Sequence, residues 1–141
     1  MPKKRCHMRL AIDREKKSAL SFFSDTSTSL ARALNAGFGE LCVAYAHTPI
    51  VTVAVVEGTV MGGGFGLACV ADVTLAGESA VFRLPETAIG VVPAQIAAFL
   101  VERLGYSEAK RLAVTGGKLD AAAALAIRLV HEVHPDATLD G

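Results

Sequence analysis

One stretch of the sequence combines residues that can bind negative charge with a residue that can move a proton. Three consecutive glycines, Gly62, Gly63 and Gly64, follow an apolar run, and Glu86 comes later, directly behind Pro85. Glycines let another molecule approach the backbone closely, and the first turn of a helix leaves N–H groups without partners. If a helix begins at these glycines, its N–H groups suit an anion or an oxygen that becomes negative during a reaction.

Glu86 differs from the other acidic residues because the sequence around it is apolar. Its neighbours include Phe82, Leu84, Ile89, Val91 and Val92. Apolar surroundings disfavour the charged form of a carboxyl group, which suits that group to give and take a proton near neutral pH. The structural alternative is a carboxylate that stabilises a helix N-terminus, and composition alone favours this alternative.

The glycines match neither of two common phosphate-binding motifs. No Gly-Lys-Ser/Thr follows them, and Leu67 stands where a GxGxxG motif that starts at Gly62 needs a glycine. Close packing of a helix on a strand is therefore the structural alternative for this stretch.

The cysteines and histidines indicate neither a disulfide nor a metal centre. Cys6, Cys42 and Cys69 lack CxxC spacing, which is typical of unpaired thiols in a reducing cytosol. His131 and His134 have helix-like spacing but no evident third ligand, so no metal site is predicted.

Alternating strands and helices are predicted to position the glycines and Glu86. Residues 30–46 have apolar positions at helical spacing, and Pro49 disfavours helix geometry in the residue ahead of it. Residues 50–56 form an apolar, mostly β-branched run, typical of a strand buried on both faces in a parallel sheet. The other predicted elements are strands at 73–76 and 80–83, helices at 65–71, 95–104, 107–114 and 121–130, and a closing strand or turn at 130–133. This alternation predicts an α/β fold.

Length and composition indicate one soluble domain. The chain has 141 residues, of which 52% are hydrophobic and 20% charged, and its formal net charge is zero. A neutral chain of this kind implies no polyanionic partner. No apolar run reaches the length of a membrane span and no signal-peptide pattern is present, so a cytoplasmic location without a membrane partner is predicted.

Basic residues are concentrated at the N-terminus. Residues 1–17 contain seven Lys and Arg residues against Asp13 and Glu15. Such a segment could contact nucleic acid or lipid, but a solvated terminus is favoured when charge is the only argument. Residues 1–29 are therefore predicted to be a poorly ordered arm, with at most a short helix near 16–23 and no nucleic-acid partner.

Several spaced elements follow one another in a fixed order over residues 38–134. They are Pro49, Gly58, Gly62-Gly63-Gly64, Leu67-Ala68, Ala71-Asp72, Pro85-Glu86, Gly90, Pro93, Gly116-Gly117-Lys118-Leu119-Asp120 and Leu129-Val130-His131-Glu132-Val133. Together they resemble the enoyl-CoA hydratase/isomerase (crotonase) superfamily. The phrase Leu84-Pro85-Glu86, followed by Pro93-Ala94-Gln95, is similar to its isohexenylglutaconyl-CoA and methylglutaconyl-CoA hydratase-like branch.

The resemblance implies a fold, a substrate class and roles for individual residues. The fold would be a crotonase-like (ClpP/crotonase) α/β core with parallel strands and covering helices, and the protein would form trimers or hexamers of itself. The substrate would be an acyl-CoA thioester, with no separate cofactor and no metal. Gly63 would donate an N–H to the thioester oxygen, and Glu86 would act as general acid and base. Residues that match substrate-binding positions are Gly62, Gly64, Gly66, Pro85 and Pro93.

The sequence departs from the family pattern in two respects. The usual pair of glutamates maps to Gly66 and Glu86, so one carboxylate is present. This leaves hydration, double-bond isomerisation and decarboxylation open, and Gly66 is hypothesised to leave room for a branched acyl group. Residues 1–37 also lack the expected Ala/Gly-rich loop, and further C-terminal helices are expected after Gly141. Residues 30–141 are therefore expected to be a crotonase-like domain that is incomplete at both ends, with a catalytically inactive fragment as the alternative.

Overall fold

Strands and helices alternate along the chain of the computed structural model, which describes residues 6–10, 28–86 and 94–139. The strands are β1 (Cys6–Leu10), β2 (Thr52–Val56), β3 (Thr59–Met61), β4 (Val73–Gly77), β5 (Val81–Arg83), β6 (Lys118–Asp120) and β7 (Glu132–His134). The helices are α1 (Thr28–Ala46), α2 (Gly63–Val70), α3 (Ala94–Thr115) and α4 (Ala121–Ala126), followed by a 3-10 helix at Asp136–Thr138. None of these helices is long and apolar enough to cross a membrane.

The strands form two sheets. In the first sheet β1, β2, β4 and β7 lie side by side in that order and all run parallel, with Val55 paired to Arg9 and to Leu75. In the second sheet β5 lies between β3, which is parallel to it, and β6, which is antiparallel. The parallel sheet that the apolar run predicted is confirmed. One detail differs, because Thr52, Ala54 and Val56 are buried whereas the alternate residues of β2 are partly exposed.

A hydrophobic core joins α2 to the second sheet and to α3. Phe65 of α2 and Phe82 of β5 are both fully buried and meet edge to face, with ring centroids 5.9 Å apart. Leu100 and Leu112 of α3 and Leu129 belong to the same cluster. Helix α2 carries mostly small residues, so α3 and α1 can pack closely against it.

Helix α3 consists of two arms that meet at Gly105. This residue has φ 75° and ψ 162°, which is outside the helical region and accessible to glycine. The predicted pair of helices on either side of Gly105 is therefore confirmed, although the two arms follow one another without a loop.

Other boundaries differ from the prediction for local reasons. The predicted helix at 121–130 ends at Ala126, because Arg128 adopts φ 61° and the N–H groups of Leu129 and Val130 turn back to the carbonyl of Ala124. This turn places both side chains in the core and leads into β7.

The N-terminal segment is more regular than the sequence indicated. Cys6–Leu10 forms a strand, so the prediction of a poorly ordered arm over 1–29 is wrong at this segment. Helix α1 begins at Thr28 rather than at residue 30. The short helix predicted near 16–23 lies outside the described residues, and the domain boundary at residue 29 stays a prediction.

A polar clamp fixes the C-terminal end of α2 to the start of β2. Asp72 Oδ2 accepts hydrogen bonds from the backbone N–H of Thr52 (2.8 Å) and from its hydroxyl (2.9 Å), and the Asp72 N–H donates to the same hydroxyl oxygen (3.0 Å). The bond from the Thr52 N–H, and then that from its hydroxyl, hold the pKa of Asp72 below its ordinary value. Asp72 is thus a turn residue whose carboxylate is bound by Thr52.

We expect Asp72→Ala to lower the free energy of unfolding at pH 7 by about 1–2 kcal/mol, because it removes two bonds to a charged acceptor at a partly solvated site. A depressed folded-state pKa contributes stability above the unfolded pKa of about 4, and this contribution is lost as the pH falls through the folded-state value. Urea denaturation at pH 7 and pH 3 should therefore show a difference between wild type and variant that shrinks in acid. Exposed Glu102→Ala serves as the control, and a difference that does not depend on pH would contradict the assignment.

Candidate functional site

The N-terminus of α2 is open because a glycine occupies the capping position. Gly62 links β3 to α2 with φ 54° and ψ −123°, a conformation that residues with a side chain rarely adopt. Its carbonyl accepts the N–H of Gly66 (3.1 Å), but it offers no side chain to the N–H groups of the first turn. The helix begins at Gly63, two residues before the predicted start, and Gly63 is exposed. Within the described residues the capping position gives these first-turn N–H groups no side-chain acceptor, so they can bind a ligand.

Glu86 reaches this open helix end. After β5, the buried Leu84 and the half-buried Pro85 turn the chain so that Glu86 Oε1 lies 3.5 Å from the point that a Cβ on Gly62 would occupy. The other oxygen, Oε2, is buried and has no hydrogen-bond partner in the described part of the chain. A buried carboxylate oxygen without a partner is costly, and it points to a site that a ligand completes.

Two apolar side chains cover α2 beside this carboxylate. A Cβ on Gly63 would lie 3.2 Å from the ring of Phe38, and a Cβ on Gly66 would lie 3.4 Å from the same ring. A Cβ on Gly66 would also overlap Cγ2 of Ile96. Gly66 is buried, so the hypothesis that it leaves room for a branched acyl group is wrong for this structure. The space is filled by side chains from α1 and α3.

The structure brings some of the predicted site residues together and leaves others apart. Gly62, Gly63 and Glu86 meet at the end of α2, and the half-buried Gly64 follows in the first turn. Gly66 is part of the packed interior, and Pro93 lies outside the described residues together with Ile89, Val91 and Val92. Phe38 and Ile96 were missed, because only the fold brings residues from two distant helices onto α2.

The opposite end of α2 is bound by a positive charge. Arg103 donates to the carbonyl of Cys69 through Nε (3.0 Å) and to that of Ala71 through Nη2. Its Nη1 lies 3.0 Å from His131 Nε2, while His131 Nδ1 accepts the N–H of Thr74 (2.9 Å). A cation at a helix C-terminus is stabilising, and the carbonyl groups there receive donors. Arg103 was not anticipated, because no local pattern links it to a segment more than thirty residues upstream.

The buried thiols are poor candidates for catalysis. Burial raises the pKa of the Cys69 thiol to about 12, although the nearby Arg103 lowers it in part. Burial also raises the pKa of the Cys42 thiol. Neither is a thiolate at neutral pH, so neither is suited to act as a nucleophile. Among the described residues, no group of three His, Cys, Asp or Glu side chains is placed to hold a metal ion.

A cleft of about 350 Å³ lies beside the C-terminal end of α2 and is separate from Glu86. Its walls include Ala46, Asp72, Phe99, Glu102 and Arg103. Asp72 Oδ2 already accepts hydrogen bonds from Thr52, and Arg103 already donates to helix carbonyls. The cleft therefore offers few free polar groups to a ligand. The open end of α2 beside Glu86 is the better candidate for chemistry.

Known proteins are similar to this chain in both sequence and fold. The family model described as "Enoyl-CoA hydratase/isomerase" matches residues 24–141. An enoyl-CoA hydratase/isomerase structure from Marinobacter aquaeolei is 47% identical with a TM-score of 0.73, over 76% of this chain and 40% of that one. Pseudomonas aeruginosa AtuE is 45% identical with a TM-score of 0.79, over 86% of this chain and 47% of that one.

A curated relative from Arabidopsis thaliana, named "Probable enoyl-CoA hydratase 2, mitochondrial", is 42% identical over 73 residues, which are 51% of this chain and 24% of that protein. The chain spans less than half the length of each of these three relatives. The crotonase-like α/β fold that the sequence resemblance implied is confirmed by the solved structures. Because the family model covers most of the chain, this protein belongs to the enoyl-CoA hydratase/isomerase family.

Proposed function

We propose that this chain carries the acid–base half of an acyl-CoA site, in which Glu86 moves a proton and the Gly63 N–H binds the thioester oxygen. The observation that carries the proposal is the buried Oε2 of Glu86, which no described residue partners, beside the uncapped N-terminus of α2. A carboxylate and a set of N–H donors then face the same small region. Such a pair can take a proton from a thioester and bind the charge that results.

The helix end supplies the electrostatic part of the proposed reaction. Removing a proton beside the thioester carbonyl, or adding a nucleophile to the conjugated double bond, leaves negative charge on the carbonyl oxygen. N–H groups at a helix N-terminus stabilise that charge, and Arg103 holds the opposite end of α2 in place. In the family pattern a second N–H donor comes from an Ala/Gly-rich loop that residues 1–37 lack, so the Gly63 N–H is the donor that we assign to this chain.

The single carboxylate suits reactions in which one group both accepts and returns a proton. In double-bond migration, the Glu86 carboxylate takes a proton from C2 of a 3-enoyl thioester, and the C–H electron pair moves into the carbonyl to give a dienolate. The carboxylic acid then returns the proton at C4 as the C2–C3 double bond forms. In hydration, the same carboxylate takes a proton from water as oxygen adds to C3, and delivers it to C2. The packing of Ile96 on Gly66 favours the first reaction, because it leaves no place for a second acid.

We make three more specific proposals, which concern the acyl group of the substrate, self-association of the protein and its location in the cell. A branched glutaconyl thioester is supported by the sequence around Glu86 and Pro93, and Gly66 contributes no space for the branch. Self-association is supported by apolar side chains that α1 leaves about half exposed, among them Leu34, Leu41 and Val43. A cytoplasmic location stays a prediction from the sequence.

We expect Glu86→Gln to lower turnover of an enoyl-CoA by about 10²- to 10⁴-fold, because the amide keeps the shape of the side chain and cannot exchange a proton. Thioester binding should be nearly unchanged. Turnover is measured by the ultraviolet absorbance of the conjugated thioester and binding by calorimetry. Exposed Glu78→Gln is the matched control. If Glu86 only stabilises the helix end, the variant should lose thermal stability while turnover per folded molecule stays the same, and that result would end the assignment.

A second test removes a single N–H from the helix end. Proline is tolerated at the first position of a helix and has no N–H, so Gly63→Pro deletes the proposed donor. Gly63→Ala is the matched control, because its Cβ meets the same ring of Phe38 and its N–H is retained. We expect the proline variant to turn over the thioester about 10²- to 10³-fold more slowly than the alanine variant. Equal rates in two folded variants would exclude Gly63 as the donor.

A further inference from the structure

Ile96 of α3 fills the space beside α2 that a side chain at residue 66 would need. The first turn of α2 presents Gly62, Gly63 and Gly66 on one side, which we call the glycine face. The Gly66 N–H donates to the Gly62 carbonyl, so the two residues lie one turn apart, about 6 Å along the helix. Glu86 Oε1 approaches the face at Gly62, and Ile96 packs on it at Gly66.

A side chain at position 66 would not fit beside Ile96 and Phe38 as they are packed. A Cβ there would overlap Ile96 Cγ2 and would lie 3.3 Å from Ile96 Cβ, with Phe38 Cε1 at 3.4 Å. Ile96 is only 3% exposed, so it is held by the core and cannot turn aside into solvent. Position 66 therefore has no space for a side chain, and the apolar cover gives a water molecule there no partner for its hydrogen bonds.

We propose that Ile96 is a specificity-determining residue that fills the space beside Gly66 and restricts this site to one carboxylate. This inference rests on the proposed function. With water and a second acid excluded one turn from Glu86, the proton that Glu86 takes from the thioester returns to the same molecule. Double-bond migration is then favoured over water addition. The residue acts on substrate choice through the space that it fills, since its side chain carries no group that reacts.

The packing claim is tested by a double-variant cycle on thermal stability. Gly66→Ala should lower the melting temperature, although alanine is the better helix former. In an Ile96→Ala background the same change should cost much less, because the vacated space accepts the new methyl group. Gly37→Ala is the control, since a Cβ at that helical glycine meets nothing within 4 Å and its effect should be equal in both backgrounds. If the change in melting temperature of the double variant equals the sum of the changes in Gly66→Ala and Ile96→Ala, the claim is overturned.

The specificity claim is tested by comparing two reactions of the same chain. Wild type and Ile96→Ala are given a 3-enoyl-CoA, whose double bond can migrate, and a 2-enoyl-CoA, which can be hydrated. We expect Ile96→Ala to raise the ratio of hydration to migration by about tenfold or more, the discrimination that a few methyl groups in an apolar pocket supply. Leu100→Ala opens a similar cavity one turn further along α3 and should leave the ratio unchanged. An unchanged ratio in Ile96→Ala overturns the inference.

The two proposals fail in different ways. If Glu86→Gln is as active as wild type, or the chain turns over neither thioester, the proposed function is wrong and the specificity inference falls with it. If Glu86 is required but the ratio is the same in Ile96→Ala and wild type, the proposed function stands and the role of Ile96 is wrong.

Discussion

The arrangement of the candidate site depends on how closely α3 and α1 can approach α2. Gly66 lets the methyl group of Ile96 and the ring of Phe38 come within van der Waals distance of the helix backbone, and a single added carbon would overlap Ile96. Packed interiors do not give way easily, so this contact fixes the distance between the helices. Because Gly62 and Gly63 have no side chains, Glu86 can also approach the first turn of α2.

The two ends of α2 are treated in opposite ways, and the difference creates the site. At the C-terminal end, Arg103 and the clamp between Asp72 and Thr52 provide partners for backbone and side-chain groups. At the N-terminal end, Gly62 provides no cap and the N–H groups stay available. A helix that is saturated at one end and open at the other presents its partial positive charge to whatever binds there. Glu86 lies beside this end, half-buried and with one oxygen that has no partner among the residues the structure describes.

The sequence predicted the elements whose periodicity extends over several residues. Helix α1, strand β2 and the two arms of α3 were all found near their predicted positions. Strands β3 and β6 have three residues each, too few for an alternating pattern to be visible, and β1 lies in a polar, basic segment where pairing to β2 outweighs local preference.

The site was predictable in its chemistry but not in its packing. The Gly triplet and Glu86 could be named from type, order and resemblance. Which side chain fills the space over Gly66 depends on a helix thirty residues later, so the hypothesis of an empty pocket there was wrong. The first arm of α3 contacts α2 at two separate places. Ile96 and Arg103, two turns apart, contact α2 at Gly66 and at the carbonyls of Cys69 and Ala71, so apolar packing and hydrogen bonds from one helix both hold α3 against α2. A substitution of Arg103 would remove the hydrogen bonds and leave the Ile96 contact in place, so both ends of α2 depend on the same neighbouring helix.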